Sequence, residues 1–319
     1  MKNLTFDKVQ LLTIEPDYEG QRVDNFLKNL LKGVPKSMIY RILRKGEVRV
    51  NKKRIKPEYK LCPGDELRVP PIRVSEEKAG PSANLSSVQN LESLIIHEDK
   101  KLMVLNKPHG MAVHGGSGQS FGVIEALRSL RPDERYMELV HRLDRDTSGC
   151  LLIAKRRSVL RSLHAQLREK TTVKKYFALV DGSWPAHRNK VKAPLYKNVL
   201  QSGERVVKVS EQGKPSETRY NVIQSFKDAT LVEAIPVTGR THQIRVHCLH
   251  AGHPILMDDK YCTVEANERA KQQGLSRMFL HAHEISFDDH ETGERQVYSA
   301  PLTPELKTFI DFLEHAGQI

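Results

Sequence analysis

No apolar run in this 319-residue chain approaches the roughly 20 residues that span a bilayer as a helix. The start, Met1-Lys2-Asn3-Leu4-Thr5-Phe6-Asp7, also lacks the apolar stretch of a secretory leader. A membrane or secreted protein is thereby set aside, and a cytoplasmic one is expected. Cysteine is sparse: Cys62, Cys150, Cys248 and Cys262 are far apart with no Cys-x-x-Cys spacing. That argues against a disulfide framework or a thiolate zinc site and suits reduced thiols. The glycine-rich signatures of phosphate and dinucleotide binding are missing, which argues against a nucleotide cofactor. The Gly-x-Ser-x-Gly elbow of the α/β-hydrolases is missing too, although Ser148 precedes Gly149.

Negative charge is also in deficit. The chain has 51 Lys and Arg against 39 Asp and Glu, a net +12 that favours polyanionic partners. Between Gly20 and Val74 there are 15 basic and 5 acidic residues, so +10 of the +12 sits in this short segment. Solubility alone does not require such segregation, so a basic N-terminal module is expected.

Within that module, Val23, Phe26, Leu27, Leu30 and Leu31 follow helical spacing until Gly33 and Pro35. A second helix starts near Lys36, with Met38, Ile39, Ile42 and Leu43 inward, Arg41, Arg44 and Lys45 outward, and Gly46 as its cap. Val48 to Ile55 reads as strand, turn and strand, carrying Lys52, Lys53 and Arg54, and Glu66 to Val69 as a further strand. Residues 1–19 are read as an arm, 20–75 as the module, 76–90 as a flexible linker and 91–319 as one large domain. In the large domain, strands are predicted at 94–96, 102–105, 150–154, 176–180 and 230–234, and helices at 122–130, 158–170 and 304–315. The fold class is mixed α+β.

The densest chemistry lies in His141-Arg142-Leu143-Asp144-Arg145-Asp146-Thr147-Ser148-Gly149, a loop entering the apolar run 150–154. Arginines on both sides of Asp144 should keep it ionised, as suits a nucleophile or base. A salt-bridged turn closed by Gly149 accounts for the same nine residues, and both readings stand open. Three further clusters accompany it: Asn106-Lys107-Pro108-His109-Gly110 with His114-Gly115-Gly116, where glycines allow a close approach to a ligand; Lys174-Lys175-Tyr176, opening a strand; and Thr238 to His247, a turn into a helix for which Thr241 is the expected N-cap. His242, His247, His250 and His253 with Asp258 raise a metal-dependent hydrolase or nuclease, but the His-Glu-x-x-His pattern is absent and no metal is expected.

Taken jointly, the loop at 141–149, Lys175-Tyr176 and Thr238 to His247 resemble, in order and spacing, the motifs of the ribosomal large-subunit and tRNA branch of the pseudouridine synthases. Asn106-Lys107-Pro108, His253-Pro254-Ile255-Leu256, Leu280-His281-Ala282 and Ala300-Pro301-Leu302 extend the match over most of residues 91–303. The basic module resembles the S4 RNA-binding domain. The resemblance implies a mixed, largely antiparallel sheet flanked by helices, and conversion of RNA uridine to pseudouridine, with bacterial 23S ribosomal RNA favoured. It implies Asp144 as catalytic aspartate, Arg245 as its paired arginine and Tyr176 packed on the target base. Arg142 would fill the space of the flipped nucleotide, and His141, Thr147, Gly149 and Ile244 would complete the substrate contacts. Lys36, Arg41, Arg44, Lys45, Lys52, Lys53 and Arg54 would meet RNA phosphates. Asp146 would tie the loop together through Arg145 or the Thr147 and Ser148 hydroxyls. No cofactor or metal is implied, and a monomer is expected. The chain departs from the pattern at Met257-Asp258-Asp259, where Gly-Asp is expected, and at Cys262, where glycine is common. A non-catalytic RNA-binding or ribosome assembly protein is the alternative, in which Asp144 would be dispensable.

Overall fold

The computed structural model describes residues 7–31, 33–72, 80–116, 120–134, 136–199 and 205–316. The chain divides into two compact units, residues 1–79 and 80–319.

The first unit contains β1 (Gln10–Thr13), α1 (Val23–Leu30), α2 (Lys36–Arg44), β2 (Arg49–Val50), β3 (Lys53–Arg54) and β4 (Glu66–Val69). Its antiparallel sheet runs β1-β4-β2-β3. Strand β1 therefore belongs to the sheet, although its residues read as part of an arm; four residues with one buried position, Leu12, are too few for alternation to announce a strand. Helix α1 buries Val23, Phe26 and Leu27 against Ile39, Ile42 and Leu43 of α2. The buried Asp24 ties the helices together, accepting bonds from Arg22 and from the Tyr40 hydroxyl at 2.9 Å. Gly46, at φ 70°, ends α2: its N–H bonds Leu43 O and that of Glu47 bonds Ile42 O, the paired pattern of a glycine C-cap. Asn51 and Lys52, both at positive φ, make the two-residue turn whose twist suits a tight hairpin between β2 and β3.

The second unit opens with α3 (Ser86–Gln89), β5 (Ile95–Glu98), β6 (Leu102–Lys107), α4 (Val123–Leu130), β7 (Glu138–Leu139), β8 (Ser148–Ala154), α5 (Arg157–Glu169) and β9 (Val173–Asp181). It continues through β10 (Lys190–Lys192), β11 (Leu195–Val199), β12 (Arg205–Val209), β13 (Glu217–Ser225), β14 (Ala229–Pro236) and α6 (Gln243–His250). The last elements are α7 (Val264–Gln272), β15 (Leu280–Asp288), β16 (Arg295–Ser299) and α8 (Pro304–Ala316). The end of the stretch read as a linker is helical, because Val88 of α3 and neighbouring Leu91 are wholly buried in the core.

The main sheet runs β10-β13-β14-β9-β15-β8-β6-β5, with β16 on β15 and β7 on β8. Among the described residues only β8 and β15 pair in parallel. Side chains alternate between two cores. On one face Leu151, Ile153, Ala178, Val180, Val232 and Ala282 pack with α3, α4 and α6; on the other Leu152, Ile285 and Phe287 meet α5, while Leu179, Leu231 and Phe279 meet α7 and α8. Burial on both faces is why β8 reads as an unbroken apolar run rather than an alternating one. Strands β11 and β12 form a separate hairpin whose Leu195 and Val207 pack on Val246 and Tyr261.

Candidate active site

The loop 141–147 feeds β8 at the centre of the sheet. At its end Gly149 takes φ 109°, and a Cβ there would collide with the backbone of Ala282 on β15. Only glycine allows so close a parallel pairing, and it fixes where the loop stops. Ser148 Oγ accepts a bond from Arg277 at 2.7 Å and contacts His281 Nδ1 at 2.8 Å. From behind, the wholly buried Lys107 donates to the carbonyls of Pro108 (2.7 Å), Met111 (2.7 Å) and Arg145 (3.0 Å). Gly110 N–H also bonds Arg145 O at 3.0 Å. Burial pushes the Lys107 ammonium down to about 7, opposed by the charges of Asp146 and Asp144. The segment 106–110, read as a ligand-approaching loop, thus clamps the loop 141–147 through Arg145 O.

Inside the loop, Arg145 pairs with Asp146 at 2.9 Å, as the second carboxylate was expected to do, and Thr147 N–H bonds Asp144 O at 3.2 Å. Neither flanking arginine pairs with the Asp144 carboxylate. Its cation comes from α6: Arg245 Nη1 lies 3.6 Å from Asp144 Oδ2, and His242 Nε2 lies 3.8 Å from the same oxygen. Both donors converge on Oδ2, and no hydrogen bond engages Oδ1 among the described residues.

Helix α6 is set by Gln243, not by Thr241. Thr241 makes no capping bond, and the N-cap is His242, in the left-handed region at φ 52°. The buried Gln243 amide satisfies the turn: its oxygen accepts from Thr238 Oγ1 (2.6 Å) and Arg240 N (3.1 Å), and its nitrogen donates to Glu217 O and Thr218 Oγ1. Asp144 is not Arg245's main partner. The guanidinium makes two 2.7 Å bonds to Asp258, with Arg245 5% and Asp258 1% exposed. Burial works against that charge, but Asp258, then Asp144, hold Arg245 above its ordinary value. In the sequence Asp258 reads only as a candidate metal ligand and as part of an altered loop. Met257 just before it stands at φ 61°, the conformation that suits the glycine expected there.

Asp144, Arg245, His242 and Gln243 line a cavity of about 510 Å³. Tyr176 sits in its floor on β9, between Ala234 and Ala282 of the neighbouring strands; burial, then Asp144, pushes its hydroxyl well above the usual range. Of the residues expected at the site, His141, Arg142, Asp144, Thr147, Tyr176, Ile244 and Arg245 line the cavity. Gly149 does not; it is buried in the β8–β15 pairing. His141 accepts the Leu152 N–H on Nε2 at 3.2 Å, and burial pushes it down to about 3, so it is a neutral support for the strand. The lining adds the exposed Arg168, Lys170 and Arg240 and the half-buried Lys174, which together with exposed Arg142 make the cavity cationic. In the sequence Lys174 reads only as the start of a strand.

The histidines do not form a metal cluster. His247 is wholly buried between Ser216, Thr218 and Ala193, and His253 bonds Asp181 O. Among the described residues, no group of three or more His, Cys, Asp and Glu is placed to hold a metal ion. In the first unit Lys36, Arg41, Arg44, Lys45, Lys52, Lys53 and Arg54 are all exposed. Arg54 donates to Lys45 O at 2.8 Å, bringing the hairpin cations beside those of α2.

Residues 101–250 match the RNA pseudouridylate synthase family, and residues 21–67 match the S4 domain. The chain is 63% identical over 306 residues to a protein named ribosomal large subunit pseudouridine synthase C from Pasteurella multocida (strain Pm70), covering 96% of this chain and 94% of that one. It is 59% identical to the protein of that name from Escherichia coli (strain K12), covering 97% and 98%. Among solved structures, it resembles human RNA pseudouridylate synthase domain containing 4 with a TM-score of 0.58 at 25% identity, covering 72% of this chain and 95% of that one.

Proposed function

Because the chain belongs to the RNA pseudouridylate synthase family, we propose that it isomerises uridine to pseudouridine in large-subunit ribosomal RNA, with Asp144 as the reacting group. The N1–C1′ bond breaks, the uracil turns, and C5 bonds to C1′ with loss of the C5 proton. Product and substrate are isomers, so the net reaction consumes no reductant, oxidant or co-substrate. The observation that carries the reading is the convergence of Asp144, Arg245 and Tyr176 in one cation-rimmed cavity.

A uridine in folded RNA must leave its stack to reach such a cavity, at a cost of a few kcal/mol. The exposed Arg142 at the mouth stacks in its place, and the uracil lies on the Tyr176 ring, a contact that needs no sequence code. Arg245, fixed by Asp258, holds Asp144 Oδ2, so Oδ1 is the atom offered to the nucleoside, as nucleophile or as base at the sugar. Exposed cations of the first unit, Lys36, Arg41, Arg44, Lys45, Lys52, Lys53 and Arg54 among them, contact RNA phosphates. The protein acts as a monomer in the cytoplasm, where large subunits are assembled; no helix among the described residues is long and apolar enough to cross a membrane.

The test is carbodiimide-blocked primer extension on large-subunit RNA from a strain lacking this protein. Specific stops should vanish and return with the wild-type chain but not with Asp144→Asn. Unchanged stops in the deletion strain, or full restoration by the variant, would contradict the reading.

A further inference from the structure

His242 lies beside Asp144 and Tyr261 beside His242, and the proposed reaction gives them no part. Tyr261 is 7% exposed. Its hydroxyl oxygen accepts the backbone N–H of Val207 in β12 at 3.0 Å and lies 2.8 Å from His242 Nδ1. The opposite ring nitrogen, Nε2, faces Asp144 Oδ2 at 3.8 Å. The Tyr261 ring also lies under the Arg245 guanidinium, 5.0 Å from ring centre to guanidinium carbon. One tyrosine therefore touches both groups that converge on Asp144 Oδ2.

We propose that Tyr261 and His242 are positioning residues for Asp144: Tyr261 donates its hydroxyl proton to His242 Nδ1, fixing the neutral tautomer whose Nε2–H is aimed at the carboxylate. The proposal rests on Asp144 being the reacting group. The direction of the chain follows from donor counting. Val207 N–H can only donate, so Tyr261 oxygen accepts there, and its own proton needs an acceptor. Among the described residues the only further hydrogen bond to that oxygen is with His242 Nδ1. If Nδ1 carried the proton instead, the buried tyrosine O–H would be left unpaired, a costly arrangement. Burial, with Arg245 and Lys260 nearby, pushes His242 down to about 4 against the pull of Asp144, so near neutral pH the ring holds one proton, on Nε2. The strained backbone of His242, at φ 52°, persists because the rest of the site holds it there. At 3.8 Å the Nε2–H is too far for a hydrogen bond, and such contacts tighten when substrate closes the site. With Arg245 and His242 both on Oδ2, the carboxylate cannot rotate and Oδ1 stays directed at the nucleoside.

The test uses the full-length protein. In ¹⁵N-histidine-labelled wild type, His242 should show the Nε2-protonated neutral tautomer, and Tyr261→Phe should convert it to a tautomer mixture. With C5-tritiated large-subunit RNA, His242→Leu should lower kcat by about 10- to 100-fold, the worth of a hydrogen bond to a charged group, with KM within about threefold. His242→Gln, whose amide N–H can replace Nε2–H, should recover most of that loss, and Tyr261→Phe should lower kcat by about tenfold. An Nδ1-protonated or doubly protonated ring in the wild type overturns the proposal without any variant having to fold. So does an unchanged kcat in His242→Leu, or a Gln variant no better than Leu. A parallel Asp144→Asn control separates the two levels: activity there would remove the underlying reading, whereas a dead control beside normal His242 variants removes only this inference.

Discussion

The Arg245–Asp258 pair gives the sharpest test of how the site is held. Both side chains are buried, and both nitrogen–oxygen distances are 2.7 Å. Removing one partner of such a pair leaves an uncompensated buried charge and costs about 3–5 kcal/mol, whereas replacing both with apolar groups is near neutral. Asp258→Leu should therefore lose about 3–5 kcal/mol of stability. The Arg245 guanidinium, left with Asp144 as the nearest carboxylate, 3.6 Å away at Oδ2, should close on both of its oxygens and so engage the Oδ1 offered to the nucleoside, and kcat should fall as well. Arg245→Met with Asp258→Leu should regain most of the stability but remain poorly active, because Asp144 has lost its cation. Stability is read by urea denaturation monitored at Trp184, the single tryptophan, which lies in the same unit; activity is read by tritium release. A loss below about 1 kcal/mol in Asp258→Leu, or full activity in the double variant, would refute the assignment of Asp258 as Arg245's anchor.

Lys107→Met should cost about 3–5 kcal/mol in the same denaturation experiment, because three carbonyls lose the buried amine that donates to them; a loss under 1 kcal/mol would show that the clamp is dispensable. Burial holds His141, His242 and His281 down to about 3, 4 and 4, below the roughly 6.5 of an unfolded histidine. The unfolded state then binds more protons between these values, so stability is full above about pH 6.5 and is lost as pH falls towards 4. The wholly buried His281 alone contributes on the order of 2 kcal/mol of that loss by pH 5. A urea midpoint that holds steady from pH 7.5 to 5 would contradict this. Changing Arg41, Arg44 and Lys45 together to Gln should weaken RNA binding and reduce the salt slope, log K against log salt, by about 2; an unchanged slope would place the phosphate contacts elsewhere.

Much of this was legible in the chain because local pattern and burial agree. The run 150–154 belongs to a strand covered on both faces, the helical spacing at 23–31 and 38–43 marks the faces that pack, and Gly46 ends α2 where its lack of a Cβ is needed. The Arg145–Asp146 pair could be read because the residues are adjacent. Contacts that close over long sequence separations could not. Arg145 O is gripped by Lys107 from 38 residues away, which turns an apparent ligand loop into a clamp. Asp258 lies 13 residues from Arg245 in an altered loop, and only its left-handed Met257 marks the turn that delivers it. Thr241 has the residue type of a helix cap, but Gln243 satisfies the same turn with a longer side chain and leaves His242 free to face Asp144. Gly149 reads equally as a ligand contact or as a packing position until the backbone of Ala282 is seen against it.

The most direct test of the central claim is a comparison of wild type and Asp144→Asn on the same ribosomal RNA fragment, measuring C5-tritium release in a single turnover and RNA affinity by filter binding. The account predicts no release above background from the variant, with its Kd for RNA within about threefold of wild type, since Asp144 lies inside the cavity rather than among the exposed cations. Release at a rate near that of wild type would contradict it.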